Sequence, residues 1–135
     1  ITVATANANR HGLEGRARFC QADFATDLTR YGQFDLILSN PPYIPTHNIL
    51  ALDADVRHFD PLVALNGGLD GLDCWRILCP QIAILMVDQG AAFVEIGAGQ
   101  GKAIGRLGVA SNLHLVASFA DLSGHERCLQ FQKEI

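Results

Sequence analysis

The chain has 135 residues, of which 49% are hydrophobic and 18% are charged, and its formal net charge is −4. This composition predicts one globular domain that can bury a core, and no apolar run approaches the roughly 20 residues that cross a bilayer, so we expect a cytoplasmic protein. The acidic balance disfavours non-specific binding to nucleic acids, because such binding depends on clustered Lys and Arg.

The first third of the chain predicts a helix and two strands. Residues 1–11 are Ala-rich and are followed by Gly12, which is typical of the last turns of a helix with a glycine cap. Residues 17–22 alternate enough to predict a strand. The apolar stretch 34–39 is short and ends at breaking residues, so it predicts a buried strand.

The tetrapeptide Asn40-Pro41-Pro42-Tyr43 directly follows this second strand. Its prolines lack a backbone N–H and have a fixed φ, so the strand ends there and displays the tetrapeptide where open α/β sheets place ligand sites. The side-chain oxygen of Asn40 and the carbonyl of Pro41 can each accept one proton of a planar NH2 group, which turns its nitrogen toward an electrophilic methyl group. The ring of Tyr43 can stack on that planar group. The alternative is an ordinary turn, in which Asn40 caps the strand and Tyr43 packs in the core.

The rest of the chain predicts a long connection, a helix and three more strands. Residues 43–72 have few periodic apolar residues and are rich in Asp, Gly and Pro, which is typical either of a functional flap or of a mobile surface connection. Trp75 and Met86 are expected in the core, and Arg127 is expected to pair with a nearby carboxylate. The later elements are predicted as a helix over 72–87 with a possible kink at Pro80, and strands over 91–96, 113–119 and 128–131, the last two antiparallel.

A second motif, Gly97-Ala98-Gly99-Gln100-Gly101, stands between a predicted strand and a predicted helix. Glycines in this pattern let backbone amides approach a bound phosphate or nucleotide, so the motif is typical of a cofactor loop. A structural turn is the alternative.

Four cysteines lack the C-x-x-C spacing and the histidine pairing of zinc sites. Each lies in an apolar context, which favours buried free thiols over disulfides. They are Cys20, Cys74, Cys79 and Cys128.

Several segments together resemble the HemK/PrmC family of S-adenosylmethionine-dependent methyltransferases. Asn-Pro-Pro-Tyr alone is shared with other amino-methylating enzymes, and the later segments narrow the resemblance to this family, although Asp60 stands where the family usually has Glu. The segments are Ser39-Asn40-Pro41-Pro42-Tyr43-Ile44-Pro45, Asp55-Val56-Arg57, Phe59-Asp60-Pro61-Leu62-Val63-Ala64-Leu65, Gly67-Gly68-Leu69-Asp70-Gly71-Leu72-Asp73, Glu95-Ile96-Gly97 with Gln100, and Asp121-Leu122-Ser123-Gly124-His125-Glu126-Arg127.

The resemblance implies an α/β fold with a Rossmann-like methyltransferase sheet over residues 1–135. The family's glycine-rich cofactor loop and its N-terminal substrate domain would precede Ile1, so we expect a partial catalytic domain that is truncated at the N-terminus. In this family the cofactor loop lies before the Asn-Pro-Pro-Tyr strand, which favours a structural turn for residues 97–101. A permuted methyltransferase, in which that turn binds the cofactor, is the alternative.

The resemblance also implies a reaction, N5-methylation of the glutamine in the Gly-Gly-Gln motif of peptide chain release factors. The cofactor is S-adenosylmethionine, no metal is implied, the partner is a release factor, and nucleic acid is involved only indirectly, through the ribosomal termination machinery. By resemblance the catalytic residues are Asn40, Pro41, Pro42 and Tyr43, the cofactor-binding residues are Asp23, Phe24 and Asn40, and the substrate-binding residues are Asn40, Pro41, Tyr43 and Asp60. For Asp23 the alternative is a turn cap, and for Phe24 it is a core contact.

Two other functions remain open from the sequence. One is methylation of an amino group on a nucleic-acid base, of the adenine N6 type, which shares Asn-Pro-Pro-Tyr but calls for a basic groove. The other is a non-catalytic methyltransferase fragment that folds without binding the cofactor.

Overall fold

The computed structural model describes residues 1–133, apart from the side chains of Arg57 and His58. The quoted Arg57 of the second family-like segment therefore lies outside the described side chains. Within these described residues, no helix is long and apolar enough to cross a membrane. The helices are α1 (Thr2–Arg10), α2 (Ala54–Phe59), α3 (Leu62–Leu65), α4 (Asp73–Leu85) and α5 (Gly101–Val109), with short 3-10 helices at Thr29–Tyr31 and Thr46–Ala51. The strands are β1 (Phe34–Ser39), β2 (Met86–Glu95), β3 (Leu113–Ala120) and β4 (Glu126–Lys133).

The four strands form one sheet in the order β1-β2-β4-β3. β1 and β2 are parallel, whereas β4 is antiparallel to both β2 and β3. A parallel pair needs a crossover connection, and α4 lies within the one between β1 and β2. The predicted α/β class and the predicted antiparallel terminal pair are therefore confirmed.

Helix α4 packs on the sheet through an apolar stripe with helical spacing. Its buried residues recur at intervals of three and four, which is the period that places side chains on one helix face. Trp75 and Met86 are fully buried, as predicted, and Pro80 lies inside the helix on its exposed side. The buried residues of α4 are Trp75, Leu78, Cys79, Ile82 and Leu85.

The two faces of the sheet differ in their covering. α4 and α5 pack on one face, where Val94, Leu129 and Phe131 are at most 1% exposed. Successive side chains of a strand point to opposite faces, and on the other face Leu38 is 72% exposed and Phe93 contacts Phe119 with ring centroids 6.1 Å apart. No strand of residues 1–133 pairs with the outer edge of β1.

Two predictions about the first half of the chain are corrected by the structure. The strand predicted over 17–22 is wrong, because these residues form no ladder hydrogen bonds with any described strand, although Arg18, Cys20 and Ala22 line a cavity together with Phe34 of β1. The connection 43–72 was predicted without regular structure, but it contains a 3-10 helix, α2 and α3. The helix over 1–11 is confirmed as α1, and Gly12 follows it with φ of 66°.

The cysteines are free, as predicted, but their burial differs from the prediction. Cys79 is buried in α4, whereas Cys74 and Cys128 are half-buried and Cys20 is exposed. Cys20 belongs to the 17–22 segment, and without a place in the sheet this segment does not reach the core.

Candidate active site

The tetrapeptide Asn40–Tyr43 lies at the carboxyl end of β1. Because β1 and β2 are parallel, their carboxyl ends meet at one edge of the sheet, and Ser39 is paired with Val94 there. Glu95, the last residue of β2, therefore lies beside the start of the tetrapeptide. Pairing of parallel strands thus brings together residues that are more than 50 positions apart in sequence.

The amino-terminal half of the tetrapeptide keeps its hydrogen-bond acceptors free. Asn40 is exposed, and no described residue hydrogen-bonds its side chain or the carbonyl of Pro41. Pro41 itself is buried, which fixes the carbonyl in place. This half offers two acceptors, an amide oxygen and a main-chain carbonyl oxygen, to a ligand.

Tyr43, by contrast, is hydrogen-bonded through its hydroxyl and its carbonyl. The hydroxyl of Tyr43 donates to Oε1 of Glu95 at 3.1 Å, and Nε2 of Gln100 donates to the carbonyl of Tyr43 at 2.9 Å. Burial, and then the hydrogen bond to Glu95, raise the pKa of the Tyr43 phenol above 10.0. Tyr43 is therefore a neutral, fixed side chain at physiological pH.

A cavity of about 770 Å³ opens beside Asn40 across the uncovered face of the sheet. Its floor is apolar and its rim carries charge, with the Arg127 guanidinium 3.2 Å from the Asp121 carboxylate. The predicted ion pair of Arg127 is therefore confirmed. Backbone hydrogen bonds, chiefly from the His125 N–H, together with Arg127, lower the pKa of Asp121, so its carboxyl group is ionised at neutral pH. The lining residues are Leu38, Ser39, Asn40, Phe93, Glu95, Asp121, Arg127 and Cys128.

The segment after the tetrapeptide folds back onto its exit. The N–H of Ile44 donates to the carbonyl of Leu65 at 3.0 Å, and the N–H of Gly67 donates to the carbonyl of Ile44 at 2.9 Å. The N–H of Thr46 donates to the carbonyl of Gly68 at 2.8 Å. Backbone hydrogen bonds therefore hold residues 65–68 against the chain that leaves the tetrapeptide, which argues against a merely mobile connection.

The chain matches curated methyltransferases along nearly its whole length. It is 46% identical over 129 residues to the release factor glutamine methyltransferase of Rhodospirillum rubrum, a match that covers 96% of this chain and 39% of that protein. The same enzyme of Moorella thermoacetica is 40% identical, with 99% of this chain and 47% of that protein covered. For Agrobacterium fabrum the identity is 34%, with 98% and 45% covered.

The chain is related to the release factor glutamine methyltransferases. The predicted resemblance is thus confirmed in sequence. The chain spans less than half the length of these relatives. No family model matches it.

A solved structure shares the fold. The chain superposes on TrmN from Thermus thermophilus with a TM-score of 0.63 over 98% of this chain and 32% of that one. The sequence identity of 17% makes this a likeness of fold alone. It agrees with the predicted Rossmann-like α/β class.

The structure gathers some of the predicted site residues and leaves others apart. Asn40 lines the large cavity, and with Pro41, Pro42 and Tyr43 it lines a second one of about 350 Å³ under α3. Asp60 is exposed at the carboxyl end of α2 and lines neither cavity. The four residues of the tetrapeptide therefore share one edge of the sheet, while Asp60 lies apart in the connection 43–72.

The predicted cofactor residues lie in a turn before β1. Asp23 is exposed, and its Oδ1 accepts the N–H of Ala25 at 2.8 Å. Phe24 is half-buried and packs against the core. Neither residue lines the cavity beside Asn40, and their cofactor role stays a prediction.

Three residues near the tetrapeptide were not assigned a site role from the sequence. Glu95 and Gln100 contact Tyr43 directly, and Arg127 lines the cavity. The sequence predicted the strands 34–39 and 91–96, and Glu95 lies near the end of the second. Had the two been assumed to pair in parallel, Glu95 would have been expected beside the tetrapeptide, because the carboxyl ends of parallel strands meet at one edge.

Proposed function

We propose that this chain carries the acceptor site of an S-adenosylmethionine-dependent methyltransferase that methylates N5 of the glutamine in the Gly-Gly-Gln motif of peptide chain release factors. The observation that carries the proposal is the pair of free acceptors, Asn40 Oδ1 and the Pro41 carbonyl, at the carboxyl end of β1. The names of the relatives supply the acceptor and the partner.

The two free acceptors suit a primary amide. A glutamine side-chain NH2 has two protons, and we assign one to Asn40 and the other to Pro41. Its nitrogen lone pair is delocalised into the carbonyl, so the nitrogen is a weak nucleophile until its orientation is fixed. Holding both protons fixes that orientation, and Tyr43 packs beside the amide plane as a neutral ring.

The cofactor belongs to the proposal as the methyl donor. S-adenosylmethionine supplies an electrophilic methyl group on a sulfonium when it is bound. We assign Asp23, Phe24 and Asn40 to its binding, and the local geometry fits that role in part: the Asp23 carboxylate is exposed and held by the Ala25 N–H, which suits an acceptor for an amino group. Phe24 offers a half-buried ring for apolar contact.

Asp60 is assigned to the peptide substrate. It is an exposed carboxylate at the end of α2 in the flap, where it can accept hydrogen bonds from the backbone N–H groups of a bound peptide. This assignment rests on the family-like segment around Asp60 and on its exposure.

The proposal is tested by incubating the chain with S-adenosylmethionine and a Gly-Gly-Gln peptide, and locating the added methyl group by tandem mass spectrometry. Asn40→Ala is expected to slow methyl transfer by about 100-fold or more, because a misplaced acceptor loses most of the benefit of orientation. Asn48→Ala is the matched control, since Asn48 is an exposed asparagine in the neighbouring 3-10 helix.

Other outcomes would point elsewhere. Equal rates for Asn40→Ala and the unmodified chain would overturn the role of the amide acceptor. Methylation of adenine in an oligonucleotide, but not of the peptide, would favour a nucleic-acid methyltransferase. A folded chain that neither binds S-adenosylmethionine nor transfers a methyl group would favour a non-catalytic fragment.

A further inference from the structure

The side chain of Gln100 joins three separate segments of the chain. Its Nε2 donates to the carbonyl of Tyr43 at 2.9 Å and to that of Gly71 at 3.3 Å, while its Oε1 accepts the N–H of Gly97 at 2.9 Å. The side-chain amide of Gln100, which is half-buried, thus acts both as a hydrogen-bond donor and as an acceptor. One residue of the glycine-rich turn therefore connects the tetrapeptide, the end of the flap and the end of β2.

The glycines around this amide leave room for it and for Tyr43. A Cβ on Gly97 would lie 2.7 Å from Gln100 Oε1 and 3.1 Å from Cδ2 of the Tyr43 ring. A Cβ on Gly71, whose φ is 77°, would lie 2.5 Å from Gln100 Nε2 and would also collide with the Tyr43 carbonyl. Gly71 therefore needs glycine, because its Cβ would meet backbone at a positive φ, whereas a Cβ on Gly97 would displace the Gln100 amide from its present place. Contacts within the protein thus account for these two glycines without a nucleotide.

Tyr43 of the tetrapeptide is hydrogen-bonded within the protein, whereas Asn40 and Pro41 leave their acceptors without a described partner. The Tyr43 carbonyl and hydroxyl are held by Gln100 and Glu95. The rigid prolines transmit the position of one half to the other, because their φ angles are fixed. Holding the Tyr43 carbonyl therefore limits the conformations open to the Asn40–Pro42 backbone that carries the free acceptors.

We infer that Gln100 is a positioning residue, which holds Tyr43 so that Asn40 and Pro41 present their oxygens to the acceptor amide. The effect on the acceptor amide rests on the proposed function. The hydrogen bond by which Gln100 holds the Tyr43 carbonyl does not, and it can be measured without methyl transfer. It gives Gln100 of the second glycine-rich motif a role in the acceptor site.

The test uses nuclear magnetic resonance of the isotope-labelled chain with two variants. Gln100→Met keeps the length of the side chain but removes its donor and its acceptor. Gln100→Glu keeps an acceptor for the Gly97 N–H and places a carboxylate against the Tyr43 and Gly71 carbonyls, and it should fold because that acceptor remains. Gln81→Ala is the matched control, since Gln81 Nε2 donates to the Thr26 carbonyl at 2.9 Å, away from the tetrapeptide.

Both Gln100 variants are expected to shift the backbone resonances of Tyr43 and Ile44 and to speed amide exchange at Ile44 about 10-fold, as for the loss of one hydrogen bond. In Gln100→Glu these signals should return toward those of the unmodified chain as acid protonates the introduced carboxyl group, which then donates to the Tyr43 carbonyl. A role limited to filling space would show no such pH-dependent recovery. Gln81→Ala should change only signals near Thr26.

A second measurement links the hold on Tyr43 to the site. The affinity for a Gly-Gly-Gln peptide, read from the same spectra, is expected to fall about 10-fold in Gln100→Met and to stay unchanged in Gln81→Ala. Unchanged Tyr43 and Ile44 signals in both Gln100 variants would overturn the inference, as would shifted signals with undiminished peptide affinity. If the unmodified chain binds no peptide, the proposed function fails, and the Tyr43 signals still decide whether Gln100 holds the tetrapeptide.

Discussion

Asn40 and Tyr43 are three positions apart, and the fold treats their polar groups differently. The Tyr43 hydroxyl and carbonyl are both hydrogen-bonded inside the chain, whereas the Asn40 side chain is left to solvent. The sequence assigned Asn40 and Pro41 as acceptors from the chemistry of amides and prolines, and that role stays a prediction. It did not predict what holds Tyr43, because both partners belong to a strand and a turn more than 50 positions away.

The cysteines give a prediction about single side chains. Burial raises the pKa of the Cys79 thiol from 9.0 to about 11, so about 100-fold less thiolate is present than at the usual value. Cys20 is exposed. With iodoacetamide at mildly alkaline pH, tandem mass spectrometry should find Cys20 alkylated quickly and Cys79 only after denaturation. Alkylation of Cys79 in the folded chain at the rate of Cys20 would contradict its burial in α4.

At the scale of elements, ion pairs join the end of the connection 43–72 to helix α4. The Arg76 guanidinium contacts the carboxylates of Asp70, before the helix, and of Asp73, in its first turn. Asp70 also accepts the N–H of Leu72 at 3.1 Å. The connection 43–72 looked irregular in sequence because its order comes from these pairs and from backbone hydrogen bonds to residues 44–46, which leave no periodic apolar pattern.

The ion pair between Arg76 and Asp70 predicts that the stability of the folded chain depends on pH. The hydrogen bond from Arg76 is the main cause that lowers the pKa of Asp70 from 3.8 to about 2. Because the pKa of Asp70 is lower in the folded state than in the unfolded state, the ionised carboxylate stabilises the fold at pH values above its unfolded-state pKa. This stabilisation is lost as pH falls from about 4 toward about 2. Asp70→Asn should therefore lower the thermal midpoint slightly at pH 7, with the difference shrinking as pH falls from about 4 through about 2.

The size of that effect is expected to be small, because both partners are about half exposed to solvent. Asp55→Asn is the matched control, since Asp55 is an exposed carboxylate in the first turn of α2. A difference between Asp70→Asn and the unmodified chain that persists unchanged down to pH 2 would argue against the Arg76 pair.

At the scale of the whole molecule, the sheet has one covered face and one open face. α4 and α5 bury the face with Leu129, while Leu38 and the contact between Phe93 and Phe119 lie on the other. The alternation of side chains along a strand predicts two faces for each strand. The sequence did not predict which face of the sheet has no helix packed on it. The candidate cavity lies on the open face, so the site is shaped by the sheet and by the loop before β4.

This asymmetry predicts unequal costs for the same substitution. Leu129→Ala removes a fully buried side chain and should lower the free energy of unfolding by about 2–5 kcal/mol. Leu38→Ala removes a side chain that is 72% exposed and should cost about 0.5 kcal/mol or less. Urea denaturation followed by circular dichroism measures both. Similar costs would mean that the face with Leu38 is covered in the folded molecule.

The sequence by itself determined the local elements and the chemical motif. Apolar spacing predicted α4, short apolar runs predicted β1 and β2, and the two prolines predicted where β1 ends, because each signal is contained within one element. The resemblance carried by the segments around Asn40 and Asp60 was confirmed by the relatives. All of these are properties of neighbours in sequence.

Only the tertiary structure decided which segments pair and what surrounds the motif. Residues 17–22 resemble a strand but form no ladder with any described strand, and hydrogen bonds place Glu95 and Gln100 against Tyr43 across 52 and 57 positions. Strand pairing and side-chain bonds of this kind depend on which distant segments meet. The alternating pattern of a strand specifies its register with a partner whose face is also buried, but it does not say which segment that partner is.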